Sequence, residues 1–76
     1  MSGLPQRFGA AVRHHREAKR WSQEILADRA QLNRSYLGEV ERGNVVPSLS
    51  TMDKLARALE LRLSWLLTAC EGAPPE

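Results

Sequence analysis

Between Asn33 and Gly43 the chain carries Arg34, Ser35, Gly38, Glu39 and Arg42 at spacings suited to recognition chemistry. On a helix turning about 100° per residue these side chains share one face, opposite Leu37 and Val40, with Tyr36 at the edge. Guanidinium forks, a hydroxyl and a carboxylate can donate and accept hydrogen bonds to a surface laid against them. Gly38 leaves that face flat. Bond-making chemistry is not indicated. Ser35 beside Arg34 imitates an activated serine on paper, but no general base stands near it in sequence. His14 and His15 are adjacent, so on a helix they diverge and cannot act as an i, i+4 metal pair. Cys70 has no cysteine or histidine at metal-ligand spacing, and glycine-rich phosphate loops and nucleophile motifs are missing. A chain of 76 residues could hardly wall off a catalytic cleft. The reading is a binding protein without a cofactor and not an enzyme.

The elements that must position this face can be read around it. Ser22 is a cap for a short helix, with Glu24 placing negative charge in the first turn. Ile25, Leu26, Ala27 and Ala30 supply its apolar stripe, and the pattern stops at Ala30-Gln31-Leu32. Asn33 then caps a helix from Arg34 to about Arg42 that Gly43 ends. Upstream, Phe8, Ala11, Val12 and His15 predict a first helix from about Gln6 to Lys19, preceded by a flexible lead-in over residues 1–6. Downstream, Pro47 prevents early resumption of helix. Ser48 or Ser50 can cap a fourth helix through about Leu59, with Met52, Leu55, Ala56 and Leu59 inward. A fifth short helix is predicted from about Ser64 to Ala69. The tail over 70–76, CEGAPPE, has the composition of a disordered end. The expectation is therefore an all-α domain of five helices over residues 7–69.

Composition suits such a domain: 42% hydrophobic, 5% aromatic and 26% charged, with a net charge of +2. So small a core often gains stability by pairing. Leu63, Trp65 and Leu67 supply more apolar surface than a monomer would leave wet, which reads as a subunit interface. The alternative is that Trp65 folds onto its own domain. No run reaches the roughly 18–20 apolar residues of a membrane span, and the start lacks the order of a secretory signal. With a single cysteine, the expected compartment is the cytoplasm. Arg7, Arg13, Arg16, Lys19 and Arg20 cluster in and after the first helix; they suit phosphate contact or merely a solvated face.

Ser22-Gln23-Glu24 with Leu26-Ala27, then Asn33-Arg34-Ser35-Tyr36-Leu37, Glu39-Val40-Glu41-Arg42-Gly43 and Pro47-Ser48-Leu49 resemble the helix-turn-helix core of lambda-repressor-like (XRE-type) DNA-binding domains. The resemblance covers roughly Phe8 to Leu67, and small single-domain controller proteins look similar in size and plan. It implies double-stranded DNA as partner, with helices 2 and 3 forming the helix-turn-helix. Arg34, Ser35 and Glu39 occupy the places from which family members read bases. Gln23 matches the family's phosphate-gripping glutamine, and Gly38, Arg42 and Asn44 are further phosphate candidates. The resemblance also implies a structural ion pair between Arg16 and Glu41, a homodimer and an inverted-repeat operator. Gln31 departs from the glycine usual at that turn, where the backbone tends toward positive φ. Gly38 admits two readings, close approach of a phosphate or accidental tolerance of a poor helix former. Antitoxins share this fold, so the competing expectation is a protein-interaction module with a cognate toxin as partner. RNA polymerase is a further candidate partner, with Glu24 and Asp28 available to face it.

Overall fold

A computed structural model describes residues 3–71. The element order is α1 (Leu4–Ala18), α2 (Gln23–Arg29), α3 (Arg34–Glu41), α4 (Leu49–Ala58) and α5 (Leu63–Glu71). Phe8, Val12, Leu26, Leu37, Val40, Leu55, Leu59 and Leu66 are fully buried and form one core. α1 packs on both α3 and α5, so the first helix joins the helix-turn-helix to the C-terminal helix.

Each start and stop has a local cause. The side chains of Ser22, Asn33 and Ser48 accept hydrogen bonds from amides in the first turns of α2, α3 and α4, satisfying donors that a helix N-terminus leaves orphaned. At the other ends, α1 to α4 all close in the same way. Trp21 N donates to Arg16 O, Leu32 N to Ala27 O, Asn44 N to Glu39 O and Leu61 N to Ala56 O. The preceding residue in each case is left-handed: Arg20, Gln31, Gly43 and Glu60, with φ from 58° to 76°. This is the Schellman closure. Only Gly43 adopts it without a Cβ penalty, which costs the other three residues roughly 1 kcal/mol each.

Two boundaries differ from the sequence expectation. The lead-in over 1–6 already contains helix from Leu4, because Pro5 lies in the first turn, where a missing N–H costs nothing and its fixed φ favours helix. Residues 1 and 2 lie outside the described residues. The expected tail at 70–76 likewise begins too early. α5 continues through Glu71, and Cys70 is buried with its Sγ 3.8 Å from Arg7 O. The rest of that tail, residues 72–76, is outside the described residues.

Gly9 fixes the approach of α1 to α3. A Cβ there would collide with the Val40 carbonyl oxygen and stand 2.7 Å from Glu41 O. Nothing in the helical periodicity announces this contact.

Candidate nucleic-acid interface

The polar face of α3 rests on an ion pair beneath it. Arg16 Nε donates to Glu41 Oε2 at 2.7 Å and Arg16 Nη2 to Glu41 Oε1 at 3.0 Å. The two side chains are only 11% and 2% exposed. Arg16 Nη1 donates to Trp21 O at 2.8 Å, and Gln23 Nε2 to Glu41 Oε1 at 3.0 Å. One carboxylate therefore ties α1, the entry to α2 and the end of α3 together. Its hydrogen bond from Arg16 is the main reason the guanidinium is held even more firmly protonated than usual, against the opposing effect of burial.

Above this pair Gln23, Arg34, Ser35, Gly38, Glu39 and Arg42 line a shallow open hollow of about 330 Å³. α2 contributes Gln23 from its first position, and α3 contributes the others from successive turns. Arg34, Ser35 and Arg42 are exposed. Arg34 Nε lies 3.9 Å from Glu24 Oε1, a loose contact between two solvated side chains. Glu39 is more firmly held. Its Oε2 accepts from Arg42 Nη2 and, at 3.1 Å, from Asn44 Nδ2. These two hydrogen bonds, Arg42's first, hold the carboxyl below the usual carboxylate range. Asn44 thus joins the group through Glu39 without lining the hollow itself.

Gly38 sits under the guanidinium of Arg42. A Cβ on it would stand 3.3 Å from Arg42 Nη1 and 3.7 Å from Gln23 Oε1, both ends of flexible side chains. The protein's own packing does not demand glycine here, in contrast to Gly9.

Three of the five cations clustered in and after the first helix are paired within the protein. Arg13 pairs with Glu17, Arg16 with Glu41 and Lys19 with Glu60. Lys19 and Arg29 also flank the ring of Trp21 at 5.2 and 4.7 Å. Trp21 is half-buried against the core, its amphipathic ring covered by cations.

The apolar excess near the C-terminus is smaller than its composition suggests. Leu63 and Leu67 are half-buried, packed against the domain's own core to which Leu66 belongs. Trp65 remains 51% exposed, with its ring edge-on to His15 at 5.3 Å. Val46, in the α3–α4 connection, and Leu49, the first residue of α4, are more exposed than any of the three. Sequence reasoning passed over Val46 because a loop has no periodicity to betray which side chains stay wet.

A family profile described as a helix-turn-helix domain matches residues 7–69. The chain belongs to the helix-turn-helix domain family. Among solved structures it is similar to the restriction-modification controller protein C.AhdI from Aeromonas hydrophila. The two are 45% identical with a TM-score of 0.79, over 82% of this chain and 94% of that one. Control protein C.SmaI of Serratia marcescens is 44% identical over 75% of this chain and 68% of its own length. The immunity repressor protein of Bacillus phage phi105 is 39% identical over 74% of this chain, which spans only 39% of the repressor. The five-helix, all-α architecture is thus that of a known class of helix-turn-helix proteins. Among the described residues no helix is long and apolar enough to cross a membrane.

Proposed function

We infer that this helix-turn-helix protein is a sequence-specific DNA-binding transcriptional regulator of the cytoplasm, a binding protein rather than an enzyme. The observation that carries the reading is the hollow on α3, which gathers Gln23, Arg34, Ser35, Gly38, Glu39 and Arg42 on one open face. Its likeness to control proteins and to a phage repressor supports the same conclusion.

With α3 in the major groove, side chains of its first turn meet base edges. Arg34 at the first position of α3 can bind guanine O6 and N7 bidentately, and such a contact gives about 1–3 kcal/mol of discrimination. Ser35 beside it donates or accepts. Gln23, held by Glu41, stands at the start of α2, and from there it fixes register against a phosphate without reading sequence. Arg42 and Asn44 are phosphate donors at the opposite end of α3.

One domain of this size covers limited DNA and discriminates poorly against non-specific duplex. A two-fold dimer doubles the contacts and asks for an inverted repeat whose half-sites lie about 34 Å apart, one helical turn. Trp65, with Leu63 and Leu67 behind it, is the surface we assign to that contact. Regulation then follows from protein concentration through coupled dimerisation and DNA binding.

Selection of bound sequences from a random duplex pool at stated salt tests the reading. An inverted repeat is the expected outcome. Recovery without any motif would instead favour a protein-interaction module, with a toxin-like or polymerase partner.

A further inference from the structure

Both candidate phosphate donors at the C-terminal end of α3 are already engaged within the protein. Arg42 Nη2 and Asn44 Nδ2 donate to the same oxygen, Oε2 of Glu39. Glu39 lines the hollow together with Arg34 and Arg42, so a formal negative charge stands among the cations that would meet DNA. Arg34 also faces a carboxylate, that of Glu24, at 3.9 Å. The reading face is therefore largely self-neutralised, in keeping with a net charge of only +2 for the whole chain.

Such compensation has a direct consequence for binding. Non-specific affinity comes from cations that neutralise phosphates and release counterions, with log K falling by about 0.9 per phosphate contact for each unit of log salt. A cation held by its own carboxylate releases little. A carboxylate in the groove is moreover repelled by the backbone unless a donor replaces the ones it gives up. The exocyclic amine of cytosine is such a donor in the major groove.

We propose that Glu39 is a specificity gate: its carboxylate withholds Arg42 and Asn44 from the DNA backbone and yields them only where a base amine takes their place. The proposal rests on the DNA-binding reading above and assigns Glu39 a role beyond that of one more base contact. On an arbitrary sequence the clamp stays closed, and the face offers few free cations. On the preferred sequence the amine replaces the internal donors at Oε2, and Arg42 and Asn44 turn to the phosphates. Discrimination at one position is thereby coupled to backbone affinity.

The test compares the full chain with Glu39→Gln and with Glu17→Gln, the second a charge-matched control whose partner Arg13 lies on α1 away from the hollow. Affinity for the selected duplex and for a scrambled duplex is measured across a salt series. Glu39→Gln should bind the scrambled duplex several-fold tighter, with a salt slope steeper by about one counterion, and its preference for the selected duplex should fall several-fold. Glu17→Gln should leave the preference unchanged. An unaltered preference in Glu39→Gln, or an equal change in Glu17→Gln, overturns the gate while the DNA-binding reading stands. A wild-type chain that binds neither duplex overturns both.

Discussion

Arg16 and Glu41 meet through two parallel hydrogen bonds, 2.7 and 3.0 Å long, although 25 residues separate them in sequence. The pair is the joint between the scaffold helix α1 and α3, the helix that carries the candidate interface. Removing one member leaves an uncompensated buried charge, at a cost of roughly 3–5 kcal/mol. Arg16→Ala and Glu41→Ala are each expected to lose stability of that order in denaturant unfolding. The double replacement Arg16→Met with Glu41→Leu should be clearly milder than either, since no orphaned charge remains. Single variants that lose less than about 1 kcal/mol would show that the pair is effectively solvated.

Gln31 follows α2 with φ at 58°, between Asp28 and Leu32 in a Schellman closure. Gln31→Gly should raise stability by about 0.5–1 kcal/mol, because relief of the left-handed strain exceeds the added entropy of the unfolded chain. Chemical denaturation at fixed pH would register the gain as a higher midpoint with an unchanged slope. A loss would mean that the strain at Gln31 is smaller than its backbone angle implies.

His15 lies between His14 and Trp65, and burial first, then the neighbouring imidazole, pushes its pKa down. The folded state then binds fewer protons than the unfolded chain below about pH 6.5, the ordinary histidine value. Stability therefore falls as pH drops through that region. His15→Gln should flatten the pH dependence of unfolding between neutral and mildly acid conditions. Parallel wild-type and variant curves would remove His15 as the source.

What could be read from the sequence follows from which forces are local. Caps at Ser22, Asn33 and Ser48 depend on residues a few positions away, and the apolar stripes of α1 to α4 depend on period alone. The positive φ at Gln31 could be anticipated from the family's glycine, but Arg20 and Glu60 carry the same conformation without any such cue. Gly9 meets Val40 and Glu41 across the fold, so its role depends on helix packing that no local pattern encodes. The same holds for Leu63 and Leu67, which look like a wet surface until α5 is docked on α1. In the hollow, the residue types and their shared face were legible. The internal commitments were not: Gln23 to Glu41, and Arg42 with Asn44 to Glu39, are choices among several possible partners.

Gly38→Ala offers a test in which folding and binding are read separately. Gly38 lies in α3 between the fully buried Leu37 and the clamped Glu39, and the atoms nearest to a Cβ outside its own helix backbone are movable side-chain ends at 3.3–3.7 Å. Alanine inside a helix is favoured over glycine by about 1 kcal/mol. Gly38→Ala should therefore stabilise the isolated protein, with a thermal midpoint raised by a few degrees for a domain of this size. If a phosphate or base edge approaches the α3 backbone at this point, the added methyl stands in its path, and DNA affinity should fall even as stability rises. Thermal unfolding and duplex binding of the same variant decide the matter together. A stabilised variant with undiminished affinity would mean that the glycine serves neither the fold nor the interface. A destabilised one would mean that Arg42 and Gln23 pack over Gly38 too rigidly to move aside.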